Sequence, residues 1–115
     1  MNGLWAMIFC TEDQFGIGAG VLFVQGNKAW GGNDHYFWHG LVDLKDNKTR
    51  GTLDVRAFTD SAEPIHPDVN DPGFYTVVFE GGYGRDSFVA AAHLLDQPEI
   101  KFTIQLGKCL DAPSH

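Results

Sequence analysis

The feature that most constrains this chain is a two-residue alternation of apolar and polar side chains, broken at short intervals by glycine, asparagine or proline. Ile100 to Leu106 shows it most cleanly: Ile100, Phe102, Ile104 and Leu106 share one face, and Lys101, Thr103 and Gln105 the other. A period of two is that of a half-buried strand. Thr52 to Phe58 repeats it, with Leu53, Val55 and Ala57 opposite Thr52, Asp54 and Arg56. Further strands are expected over Leu4–Cys10, Ile17–Val24, Lys28–Gly31, His35–Leu44 and Phe74–Glu80. Gln25-Gly26-Asn27 reads as a tight hairpin turn, because Gly and Asn tolerate positive φ, and the polar Lys45-Asp46-Asn47-Lys48 as a hairpin loop. Gly81-Gly82-Tyr83-Gly84 punctuates the end of the Phe74 strand.

One stretch supports two readings. Asp86 to Leu95 is a helix if Asp86 caps it and Phe88, Ala91, Ala92 and Leu95 form the buried stripe. It is a strand if Phe88, Ala90, Ala92 and Leu94 share a face. The alanine run favours helix by propensity. A missing strand, however, leaves two long unpaired edges, which closure removes. The strand is therefore expected. That makes about eight antiparallel strands, enough to close a small barrel that is filled or holds one small ligand. Between Thr59 and Pro72 no regular element is expected. This loop carries Pro64, Pro67 and Pro72, the acids Asp60, Glu63, Asp68 and Asp71, and no Lys or Arg.

Length and charge bound the function. A chain of 115 residues fits one domain, residues 1–115. Eight Lys and Arg against 15 Asp and Glu give a net charge of −7, the wrong sign for contact with nucleic acid. No apolar run reaches the roughly 18 residues of a membrane span, and no basic start precedes Glu12 and Asp13 as in a signal peptide. Two cysteines make no disulfide framework. A cytoplasmic protein is expected.

The glycine spacing and the apolar letters between point further. Asn2-Gly3-Leu4-Trp5-Ala6-Met7-Ile8-Phe9, then Gly18-Ala19-Gly20-Val21, Gly26-Asn27, Gly31-Gly32-Asn33-Asp34 and Gly40-Leu41 resemble the GrlR family. Its members are negative regulators of type III secretion in enteric pathogens, with relatives of unassigned role elsewhere. The match is strong in the first half of the chain and is a strand pattern in the second. It implies a lipocalin-like β-barrel, a homodimer, and action by sequestering a transcriptional activator. Gly3-Leu4-Trp5 also matches the G-x-W start of lipocalin-like barrels, whose Trp plugs one end. In the family's best-known member a contiguous acidic run after the Gly40-like position grips the activator. Here Val42-Asp43-Leu44-Lys45-Asp46 stands in that place, so Asp43 and Asp46 alone remain acidic. The denser acidic surface of this chain is Asp60, Glu63, Asp68 and Asp71.

Other constellations read as structure. Gly16-x-Gly18-x-Gly20 precedes a strand, not the helix that a dinucleotide site needs, so glycines that let the sheet bend sharply or another backbone approach are expected there. His35 and His39 lie about 13 Å apart on an extended strand, too far to share a metal. His66 near Asp68 reads as a surface pair, and His93 falls in the Asp86–Leu95 stretch. Cys10 and Cys109 come near if the first and last strands adjoin, but two separate thiols with Cys10 buried are expected. Ser61, Ser87 and Ser114 have no G-x-S-x-G context and no sequence neighbour to activate them. Neither catalysis nor a cofactor or metal is expected.

The aromatics matter for binding. Trp5, Trp30, Tyr36, Phe37, Trp38 and Phe74 can line an interior or form a surface patch. Tyr36 and Trp38 share one face of their strand and Phe37 takes the other, so both faces are aromatic. Leu4–Cys10 is apolar on both faces and is expected to be buried on both. A second layer of protein is expected over such faces. Trp5, Tyr36, Phe37 and Trp38 are therefore the candidate dimer or ligand contacts. Asp43, Asp46, Asp60, Glu63, Asp68 and Asp71 are the candidates for a basic regulatory protein partner. The alternative function is a carrier of a lipid-like ligand in the barrel interior.

Overall fold

A computed structural model describes residues 1–11 and 17–111. Eight strands follow one another: β1 (Gly3–Thr11), β2 (Ile17–Gln25), β3 (Lys28–Gly32), β4 (Tyr36–Lys45), β5 (Lys48–Ala57), β6 (Phe74–Gly82), β7 (Ser87–Leu94) and β8 (Lys101–Asp111). Each pairs antiparallel with the next, and β1 pairs with β8, so the sheet closes into a barrel. Closure removes the free edges that a meander otherwise exposes.

The Asp86–Leu95 stretch is a strand. Phe88, Ala90, Ala92 and Leu94 all face the core, and β7 is hydrogen-bonded to β6 and β8. Context has overridden the helix propensity of its alanines. The turns are as expected. Gly26 takes φ 64°, and Asp46 and Asn47 take φ 55° and 62°, the primed hairpin geometry that suits twisted strands. Some strands run further than their alternation suggests. β5 begins at Lys48, β6 continues through Gly81 and Gly82, and β8 extends to Asp111. Ladder hydrogen bonds carry these polar and glycine-rich ends, which periodicity does not register.

The inward face of β1 is buried at Trp5 and Met7, while its outward face is not: Ile8 is 49% exposed. The expectation of burial on both faces therefore fails within one copy of the chain. Parity also corrects the cysteine reading. Cys10 lies between the inward-facing Phe9 and Thr11, so it points outward and is half-buried. It pairs with Thr103, whereas Cys109 lies at the bulge beside Leu4 and Trp5. Six residues of strand, roughly 20 Å, separate the two thiols.

The two ends of the barrel differ. One is closed by the tight β2–β3 and β4–β5 turns and filled by side chains. Trp5 is fully buried there, its ring edge-on to Tyr83 (6.3 Å) and Phe88 (5.4 Å), and its indole N–H donates to the Met1 carbonyl (2.9 Å). The other end carries the β3–β4 and β7–β8 connections and the long 58–73 segment between β5 and β6.

Candidate functional site

The site lies beneath that long segment. Its course across the barrel follows from its anchors. Ile65 and Val69 insert into the core. Ala57 N–H donates to the Gly73 carbonyl (3.0 Å), and Phe58 N–H to that of His35 (2.9 Å). From the β7–β8 connection, the Gln97 carboxamide accepts from Asn70 N–H (2.8 Å) and donates to the Asp68 carbonyl (2.9 Å). The segment lacks ladder bonds, yet its backbone is tied at both ends and in the middle.

Under it the barrel keeps a cavity of about 390 Å³. This falls at the lower end of the roughly 300–1,000 Å³ typical of small-molecule sites. Met7, Leu53, Val55, Val77 and Ile104 form apolar wall. Phe9, Tyr36, Trp38 and Tyr75 add aromatic faces, and Asn33, Asp34, His35, Ser61 and Glu63 stand at the polar rim. Phe9 and Trp38 meet edge to face at 6.2 Å, as do Tyr36 and Tyr75 at 6.1 Å. The glycines of β2 make room for this wall. A Cβ on Gly20 would lie 2.5 Å from the Trp38 ring, and one on Gly18 would collide with Phe9. The spaced glycines thus admit rings, not a phosphate; Gly16 of that motif lies outside the described residues, as does Ser114.

Two phenols join wall to loop. Tyr36 O–H donates to the Pro72 carbonyl (3.3 Å), and the Tyr75 hydroxyl is in contact with Tyr36 and with the Ile65 backbone. Burial pushes the Tyr75 phenol well above its ordinary range, reinforced by neighbouring Tyr36. Tyr36 is raised too, first by burial and then by the negative charge of Glu63. Both phenols are therefore neutral across the physiological range. Beside them, the His35 Nδ1 lies 2.8 Å from Thr59 Oγ1, and its Nε2 lies 3.5 Å from the exposed Asp34 carboxylate. Nothing in sequence spacing signals the Thr59 contact, because it forms only when the long segment folds back on β4.

The sequence candidates separate cleanly. Trp5, Tyr36 and Trp38 point inward, Trp5 at the plugged end and the other two around the cavity. Phe37 alone of the four aromatics faces outward, 42% exposed. It stands 6.4 Å from Phe58 and is the register partner of Arg56, whose guanidinium covers Phe74 at 4.6 Å. Asp60, Glu63, Asp68 and Asp71 are all exposed on the long segment. Asp71 accepts from Gly73 N–H (3.0 Å) and Asp68 lies 3.8 Å from His66, but none is paired with Lys or Arg among the described residues. Glu80 differs: Lys48 and Arg50 bind it and hold its carboxyl below the usual range. Asp43 and Asp46 sit at the β4–β5 hairpin, the opposite end of the barrel, so the two acidic groups do not form one surface. His35 and His39 are not brought together, and no group of three metal-binding side chains occurs among the described residues.

No protein-family model matches this chain, and no curated protein matches it either.

Proposed function

We propose that this chain is a non-catalytic, cytoplasmic regulatory module that binds a basic protein partner, in the manner of the GrlR-type negative regulators its N-terminal half resembles. The observation that carries the reading is the anchored acidic segment. Four exposed carboxylates lie on one loop without a Lys or Arg on it, and Gln97, Tyr36 and Ala57 fix that loop to a closed barrel. A net charge of −7 adds long-range attraction for a positive surface, such as that of an activator-type DNA-binding protein. The weak acidity of the Asp43–Asp46 hairpin means that the gripping surface is at the loop end. We further propose that two copies associate through the outer face of β8, β1, β2 and β3. There the register row Leu110, Leu4, Phe23 and Trp30 carries no charge, and the next, Gly107, Ala6, Val21 and Gly32, carries none.

The test is paired affinity capture from native cells. The wild-type chain should retain a basic protein that the Asp60→Asn, Glu63→Gln, Asp68→Asn, Asp71→Asn variant loses, with capture falling steeply as salt rises. Equal capture by both proteins refutes the reading.

The cavity supports a second reading, a carrier of a small lipid-like or otherwise apolar molecule. Native mass spectrometry separates the two: a co-purifying small mass favours the carrier, and a bare protein the partner-binding module.

A further inference from the structure

The donors and acceptors around the cavity are not balanced. The Trp38 indole N–H is spent on the Val21 carbonyl (3.0 Å). Tyr36 O–H is spent on Pro72, and the Tyr75 hydroxyl is in contact with Tyr36. The Asn33 carboxamide donates to the Ala19 carbonyl (3.2 Å), while its oxygen accepts from His35 N–H (3.0 Å) and Tyr36 N–H (2.8 Å). An occupant therefore meets phenol lone pairs, the carboxylates of Asp34 and Glu63, and the rings of Phe9, Tyr36, Trp38, Tyr75 and Phe102. Among the described residues, the side-chain donors left over are the Ser61 hydroxyl, one amide hydrogen of Asn33 and the His35 ring, which lies between Thr59 and the Asp34 carboxylate. No Lys or Arg lines the cavity among the described residues, and its one imidazole, His35, already faces the Asp34 carboxylate, so a carboxylate ligand lacks a fixed counter-charge to offset its desolvation. A cation has both carboxylate partners and ring faces to lie against. Glu63 lines the same cavity as Tyr36, whose phenol is raised first by burial and then by the Glu63 charge.

From this arrangement we infer that the cavity under the 58–73 segment is a site for a small organic ammonium ion, with its apolar body between Val77, Leu53 and Ile104 and its charged head at the rim by Glu63. The inference rests on the carrier reading and narrows it. It excludes fatty-acid-like anions, which an apolar barrel interior alone would accept. Glu63 then has two roles, as part of the acidic outer surface and as counter-ion at the mouth.

The experiment compares three probes of equal chain length, hexylammonium, hexanol and hexanoate, by calorimetric titration and by amide and aromatic NMR shifts of the full chain. Hexylammonium should bind roughly tenfold tighter than hexanoate, with hexanol between them, and its shifts should centre on Tyr36, Trp38 and Tyr75. Glu63→Gln should remove most of the preference for ammonium over hexanol while leaving hexanol affinity in place. Equal affinity for all three probes, or preference for hexanoate, overturns the ammonium assignment and leaves the carrier reading standing. Failure of all three to bind overturns both. Ammonium-induced shifts confined to the outer carboxylates mark surface ion exchange and also overturn the assignment.

Discussion

Thr49 shows how tightly single side chains are constrained in this barrel. It is fully buried on the inward face of β5, and its hydroxyl oxygen has no hydrogen-bond partner. A buried, unpaired hydroxyl costs roughly 1–3 kcal/mol relative to an apolar group of the same shape. Thr49→Val should therefore raise unfolding stability by about 1 kcal/mol, read as a higher urea midpoint at unchanged slope. Gly20 makes the opposite case. Its missing side chain is occupied by the Trp38 ring, and the Gly32 carbonyl would be 2.8 Å from an added Cβ. Gly20→Ala should destabilise by about 1–3 kcal/mol, because neither backbone nor indole can yield cheaply. The two tyrosines contribute to stability on the alkaline side. Their folded pKa values lie above the ordinary value near 10, so protons leave the unfolded chain first as pH rises. Their stabilisation is complete below about pH 10 and declines above it, and Tyr75→Phe should flatten that decline in a pH series of denaturation midpoints.

At the scale of elements, most of the architecture was legible because strands announce themselves by parity. The alternation of Ile100–Leu106 and the Gly-Asn and Asp-Asn turns located β8, β2–β3 and β4–β5. For β7, local propensity pointed to helix, and the demand for ladder partners on both sides decided correctly. The site was less legible. Tyr36 and Trp38 are adjacent in sequence to their outward neighbour Phe37, and parity sorted them. Tyr75, Thr59 and Gln97 gave no signal, since each matters through a contact with the 58–73 segment, whose course has no period to read. That segment is also where an element-level prediction belongs. Gln97 holds it by two hydrogen bonds to Asn70 and Asp68. Gln97→Ala should speed amide exchange over residues 66–71 while leaving β4 and β5 protected, because the barrel ladder does not run through it.

At the scale of the molecule, the outer apolar faces bear on assembly. Ile8, Val21 and Trp30 are 49%, 43% and 45% exposed on neighbouring strands, so the apolar outer face runs across β1, β2 and β3. Under the proposed association, sedimentation should give twice the 12.7 kDa chain mass, and Val21→Lys should return it to the single-chain value. An unchanged sedimentation coefficient removes this face from the account. The plugged end has a kinetic consequence. With Trp5 stopping the base, a guest of the proposed carrier site comes and goes at the end spanned by the 58–73 segment. Arrival and departure then share one gate, so loosening the Gln97 tether should hasten both steps in parallel, shortening residence time while the dissociation constant scarcely moves.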